Sequence, residues 1–332
     1  MKRFLAVIFA LAVLPAGAGA QNSVSAYTTL EEPLAGALFE QFQKETGISV
    51  SFIRLSGGET VARMEAEAAN PQASIWVGGT GPDSVTAKSK NLTIPYQSRF
   101  SRNIRAEFKD PHNYWIGLYV EPLTFVTNLD RANSLGLPPP KSWADLLKPV
   151  YKGRIGMANP GISKAAYNVL TTIRTLNNGN EKAAFDYLKK LDVNIDRYAP
   201  SDSALGKSVA AGEIPIAIGY AHDQVKLKAE GANVEINAPS EGTGYELVSM
   251  SLIRGGKNPL EARRLYDWML ASKNAQKLFT EWYLVLVADR AEKHPLAPSL
   301  DQIKTVKQDM DGDETNKNQL LDRWNREIGS AR

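Results

Sequence analysis

The sequence predicts an α/β fold of two α/β lobes joined by two hinge strands, with a central ligand cleft between them. Three observations predict it. Strand, small-polar turn and helix alternate from residue 23 onward; an apolar extended segment, Leu118 to Asn128, is placed to carry the chain between lobes; and a second such segment, Leu247 to Ile253, returns it.

The elements justify this reading in order. Ser23 to Tyr27 reads as a strand ending in the turn Thr28-Thr29. Pro33 stands near the first position of a helix whose Leu34, Leu38 and Phe42 recur at i, i+4, i+8, and Gly47 ends it. Val50 to Leu55 is a second strand, followed by Ser56-Gly57-Gly58 and a helix over 59–69. Ser74 to Val77 is a third, closing in Gly78-Gly79-Thr80. Beyond Pro138-Pro139-Pro140 come a short helix at 142–147, a strand at 154–157 and the turn Asn159-Pro160-Gly161. Ser163 then caps a helix to about Leu176. A helix over 181–191, a strand over 192–197, a helix over 204–211 and a strand over 214–218 follow, the last ending at Gly219-Tyr220-Ala221-His222-Asp223. After the return strand the chain is helical. Leu265, Trp268 and Met269 point inward on one helix, Leu278, Phe279 and Trp282 on the next, and Leu321, Trp324 and Ile328 on the last. The expected partition is residues 21–125 with 250–332 as the first lobe, including the C-terminal helices, and 126–249 as the second.

Ligands of open α/β sheets bind beyond the C-terminal strand ends. Thr28, Thr29, Ser56, Gly57 and Thr80 are therefore candidate contacts from the first lobe, and Tyr220 from the second. The turn running into Ser163-Lys164-Ala165 offers a helix N-terminus, where anions bind readily; Ser163 reads equally well as a plain N-cap.

Composition narrows the chemistry. The 332 residues hold no Cys, which excludes thiol catalysis and thiolate metal sites. The formal charge of +3 includes Lys2 and Arg3 and is too even for a nucleic-acid binder. The acidic run Asp309-Met310-Asp311-Gly312-Asp313-Glu314 lacks EF-hand spacing and reads as a solvated turn before a helix. No H-E-x-x-H or G-x-S-x-G is present, His112 and His294 sit in Pro-containing loops, and Ser56-Gly57-Gly58 lacks the P-loop Gly-Lys-Ser/Thr. At the N-terminus, Lys2-Arg3, the apolar run Phe4 to Leu14, and Ala16-Gly17-Ala18-Gly19-Ala20 form a cleavable export signal over residues 1–20. With no Cys for a lipid anchor, the expected product is a freely diffusing monomer of the periplasm. No stable membrane insertion follows cleavage.

Three segments carry a resemblance. They are Lys141-Ser142-Trp143-Ala144-Asp145-Leu146-Leu147-Lys148-Pro149-Val150-Tyr151-Lys152-Gly153, Ala210-Ala211-Gly212-Glu213-Ile214-Pro215, and Glu241-Gly242-Thr243-Gly244-Tyr245-Glu246. With Gly255-Gly256-Lys257-Asn258-Pro259, they resemble the solute-binding proteins of ABC importers of the ferric-ion-binding type. The resemblance implies a type II-like periplasmic binding fold, no cofactor, no enzyme activity, a small-molecule ligand and an inner-membrane ABC permease as partner.

Iron-binding members carry adjacent tyrosines where this chain has Tyr220-Ala221-His222-Asp223. The His-Asp pair with Glu246 resembles instead the branch that binds hexose phosphates. That resemblance makes His222, Asp223 and Glu246 the sugar contacts and implies a phosphorylated ligand. Ser163, Lys164 and Ala165 fall where family members bind phosphate, although Ile162, Lys164 and Ala165 depart from the usual Ser, Gly and Thr. A 2-aminoethylphosphonate or ferric-ion ligand remains the alternative. A periplasmic hydrolase using Asp223 and Glu246 as paired carboxylates is the remote one.

Overall fold

The structure, a computed structural model, describes residues 22–329. The expected export signal falls on residues 1–20 and lies outside the described residues. The first lobe opens with β1 (Ser23–Thr28), α1 (Glu32–Thr46), β2 (Ser49–Arg54), α2 (Gly57–Ala66), β3 (Ile75–Thr80), α3 (Gly81–Ser89) and a short β4 (Thr93–Ile94). Local chemistry sets these boundaries. Pro33 sits in the first turn of α1, where its missing N–H costs nothing, and Gly47 adopts φ 71° to end the helix. Ser56 and Glu59 form a reciprocal capping box on α2, and Thr80 caps α3.

β5 (Ile116–Asn128) leads through α4 (Leu129–Leu135) into the second lobe. That lobe contains β6 (Ile155–Ala158), α5 (Lys164–Leu176), α6 (Glu181–Asp192), β7 (Ile195–Ala199), α7 (Asp202–Ala210), β8 (Ile216–Tyr220), α8 (Ala221–Ala229) and β9 (Val234–Asn237). β10 (Tyr245–Ile253), α9 (Pro259–Ala271), α10 (Lys273–Glu281) and β11 (Val285–Leu286) return to the first lobe. α11 (Met310–Thr315) and α12 (Lys317–Glu327) complete the described chain.

Strands run in the order β2-β1-β3-β10-β5-β8-β6-β7. β1 pairs in parallel with β2 and β3, and β6 with β7 and β8, whereas β10 and β5 are antiparallel to their neighbours. β5 belongs to both halves: its first part pairs with β10 and β11, and from Leu123 it pairs with β8 and β9. β5 and the passage from β9 to β10 are thus the two hinge crossings. Two large apolar cores lie on either side, one around Leu38, Phe42, Val120 and Leu265, the other around Phe125, Trp143, Val169 and Ile216. The segments around Trp143 and Gly242 interlock at the boundary. Glu241 accepts from the N–H groups of Trp143 and Ala144, and Trp143 Nε1 donates to Gly242 O.

Several expectations change. The helix at 142–147 is only a 3₁₀ turn at Asp145–Leu147, and Tyr220 leads without a loop into α8. Trp282 lies at the surface, 37 % exposed. The last helix packs on the other lobe: Leu320, Trp324 and Ile328 enter the second core, where Trp324 meets Tyr198 edge-on at 5.2 Å. Its inward stripe starts at Leu320 rather than Leu321, because i, i+4 and i+8 share a helix face. The C-terminal helices therefore do not all belong with the first lobe. The acidic run is no solvated turn either, since it forms α11 and Asp313 is buried against Arg174 at 3.1 Å.

Candidate ligand cleft

A cavity of about 740 Å³ opens between the lobes. Thr29, Ser56, Gly57 and Thr80 line it from the first lobe, and Lys164, Tyr220 and Glu246 from across the cleft. Seven of the twelve sequence-based candidates thus share one wall system.

First-lobe strand ends put helix starts into this space. Ser56 Oγ accepts from Glu59 N–H, and Glu59 Oε2 in turn accepts from Ser56 N–H at 2.9 Å. Thr80 Oγ1 donates to Asp83 Oδ2 at 2.6 Å. A Cβ at Gly57 would stand 1.8 Å from Asp83 Oδ2, so a larger residue there would displace the Asp83 carboxylate. Thr29 Oγ1 donates to Gly78 O, which fixes the first turn.

Glu246 is the centre of the opposite wall. Lys164 Nζ lies 3.2 Å from its Oε1, and Tyr220 OH donates to its Oε2 at 3.2 Å. For Lys164, desolvation opposes the charged form, but Glu246 and Asp83 outweigh it and hold the ammonium above its ordinary pKa. Burial, then the charges of Glu246 and Glu121, push the Tyr220 phenol well above its usual range, so it stays a donor at neutral pH.

The other five candidates do not line the cavity. Thr28 is fully buried and its Oγ1 accepts from Leu30 N–H. Ser163 caps α5 and donates to Asp202 Oδ2 at 2.7 Å, so its hydroxyl already has partners. Ala165 packs into the second core. His222 and Asp223 occupy the first turn of α8 behind Tyr220. The His222 ring stacks on Tyr220 with 6.1 Å between centroids, and its Nε2 is 3.5 Å from Asp223 Oδ1.

Other cleft residues escaped the sequence reading. Arg54, at the end of β2, lines the cavity and pairs with Glu31 at 3.1 Å; the strand-end rule that found Ser56 would have found it. Asn168, Gln308, Met310 and Asp313 also line it. Gln308 Nε2 donates to Asn168 Oδ1, and Tyr167 OH to Asp313 O, so the segment before α12 closes one side. Burial raises the Asp313 carboxyl to about 6, with Arg174 working against it and Asp309 adding to it.

A hinged pair of α/β lobes enclosing a polar cleft defines a solute-binding protein, and residues 84–310 match the family described as bacterial extracellular solute-binding protein. The chain belongs to that family, and its fold is of the ferric-ion-binding type. It is 33 % identical to an uncharacterized protein of Haemophilus influenzae, over 97 % of this chain and 96 % of that one. It is also similar to the periplasmic binding protein AfuA from Actinobacillus pleuropneumoniae, solved with exogenous fructose-6-phosphate bound. The TM-score there is 0.76 at 32 % identity, covering 92 % of this chain and 98 % of that one. A putative 2-aminoethylphosphonate-binding periplasmic protein of Salmonella typhimurium is 27 % identical over 73 % of this chain and 70 % of that one. The chain is thus a periplasmic solute-binding protein of the ABC-importer type. Among the described residues, no helix is long and apolar enough to cross a membrane.

Proposed function

We propose that this protein captures a phosphorylated small molecule, a hexose phosphate by preference, and that the ligand holds the two lobes closed for delivery to the permease. The observation that carries this is the pairing of unlike walls across one cavity. Hydroxyls and helix starts at Ser56, Gly57 and Thr80 face a carboxylate, Glu246, held by Lys164 and Tyr220. Helix starts and an ammonium suit an anionic phosphate, while carboxylates accept from sugar hydroxyls at fixed angles. The fructose-6-phosphate-bound relative supports the same reading. On this proposal, His222 and Asp223 reach the sugar only as the lobes close, because neither lines the cavity.

One observation favours a second ligand. The cavity wall carries Glu31, Glu59, Asp83, Glu246 and Asp313 against Arg54, Lys164 and Lys317. That carboxylate excess would also suit the amine of 2-aminoethylphosphonate. Calorimetric titration of the full chain with fructose 6-phosphate, 2-aminoethylphosphonate and Fe³⁺ separates the readings. Fructose 6-phosphate should bind one to one without turnover, and Asp223→Ala and Glu246→Ala should each weaken it roughly tenfold or more, the scale of one lost charged hydrogen bond. Binding of Fe³⁺ alone, or unchanged affinity in both variants, defeats the proposal.

A further inference from the structure

His222 Nδ1 is buried and finds no hydrogen-bond partner among the described residues. An unmet buried nitrogen is costly and calls for a physical reason. A carboxylate oxygen, Glu121 Oε1, stands 3.9 Å from it, beyond hydrogen-bond reach. The two groups belong to different elements, His222 to the first turn of α8 and Glu121 to hinge strand β5. Glu121 occupies the point where β5 changes partners. Val120 pairs with Leu247 and Val285 in the first lobe's sheet, and Leu123 pairs with Tyr220 in the second's.

Glu121 also lies directly across from Glu246 on β10. Like charges at facing positions of an antiparallel pair disfavour each other. Glu246 is answered by Lys164 and Tyr220, whereas Glu121, only 16 % exposed, faces the His222 imidazole. Tyr220 stacks on that ring, with 6.1 Å between centroids and 26° between planes.

We infer that Glu121 is a positioning residue for His222: a small shortening of the 3.9 Å separation, open to the ligand-free protein as well, lets Nδ1–H donate to the Glu121 carboxylate, which fixes the ring with Nε2 free to accept from the ligand. This rests on the proposed ligand reading only in its last step. The groups facing Glu121 are His222 and Asp223 from α8, Glu246 from β10 and Lys164 from α5, with Tyr119 on its own strand and Tyr220 on β8. Burial raises the Glu121 carboxyl to about 7; His222 and Lys164 oppose this, and Glu246 and Asp223 reinforce it. As pH rises through that value Glu121 becomes a pure acceptor, and the Nδ1–H form of His222 gains its partner.

Two readouts test this. The chain has three His, so His112→Gln with His294→Gln leaves His222 as the single imidazole in a ¹⁵N spectrum of the ligand-free protein. At pH 8 the Nδ1–H tautomer should predominate in that background and lose population in Glu121→Gln. Identical tautomer ratios overturn the inference, and because no ligand is present the result is independent of the ligand assignment. The second readout is the ratio of fructose 6-phosphate Kd values, variant over wild type, from pH 6 to pH 8; the ratio cancels the titration of the phosphate itself. It should grow roughly tenfold toward pH 8, the scale of one charged hydrogen bond, with Glu121→Asp restoring part of the loss. A ratio that is flat with pH would mean a merely structural role and would defeat the inference. Should Glu121→Gln not fold, Glu121→Asp carries both measurements, with a smaller change of the same sign.

Discussion

Glu121 and Asp313 show how much of this site is decided by single buried carboxyls. Both are raised above their ordinary values, Glu121 from 4.5 to about 7 and Asp313 from 3.8 to about 6, in each case first by burial. Between those limits the folded chain binds more protons than the unfolded one, so stability falls as pH rises through the window. The contribution is largest in acid and is lost by about pH 7, with an upper limit of about 3 kcal/mol per group. Calorimetric melting temperatures of the ligand-free protein between pH 5 and pH 7.5 should therefore carry a downward component that Glu121→Gln flattens. Equal slopes in the two proteins would show that Glu121 titrates normally. The sequence could not announce this residue. Leu118 to Asn128 is legible as a strand from its apolar content, but one carboxylate within it matters only because Glu246 and His222 fold against it. His222, Asp223 and Glu246 were named from the sequence through the resemblance to the hexose-phosphate-binding branch, and of the three only Glu246 lines the cavity.

At the scale of elements, the sequence was readable wherever a boundary is set locally. The caps at Ser56, Thr80 and Ser163 and the stop at Gly47 all follow from side-chain chemistry within four residues. The contact between the second hinge crossing and α5 follows from no local pattern. Gly244 enters β10 so close to α5 that a Cβ would lie 1.9 Å from Thr172 Oγ1 and 2.6 Å from Asn168 Oδ1. Both partners are buried and held on one helix face, so Gly244→Ala must push α5 away. The expected cost is about 1–3 kcal/mol, as for other overpacked sites, with weaker ligand binding because Asn168 is part of the cavity wall. Gly206→Ala is the control: within α7 its Cβ would make only ordinary contacts, at 3.7 and 3.8 Å, and should stabilise by about 0.4–1 kcal/mol. Denaturant midpoints test the pair. An unchanged midpoint for Gly244→Ala would mean that α5 slides freely at the hinge.

For the whole molecule, the decisive feature is that the chain crosses between the lobes once more after the hinge strands. From β11 in the first lobe it passes along the cleft, where Met310 packs so near Gly81 that a Cβ there would stand 2.6 Å from its Sδ, and then places α12 in the second core. A helical stripe shows that a helix is buried but not against which lobe, which is why sequence reasoning left α12 on the wrong side. The consequence is mechanical as well as topological. The second lobe is complete only when the C-terminal helix docks, and the segment leading to it is tied to α5 through Arg174, Tyr167 and Asn168. Trp324→Ala removes a fully enclosed ring from that core, at a cost of about 3–5 kcal/mol, and the loss should fall on the second lobe alone. Calorimetry should then resolve an early transition for the second lobe ahead of the first, where wild type should unfold in one. Saturating ligand should draw the two transitions back together, because a bound molecule that touches both walls adds about 2.7 kcal/mol at a hundredfold excess over Kd and does so only while both lobes are folded. A single transition merely shifted downward in Trp324→Ala would show instead that the two lobes unfold as one unit through the hinge strands.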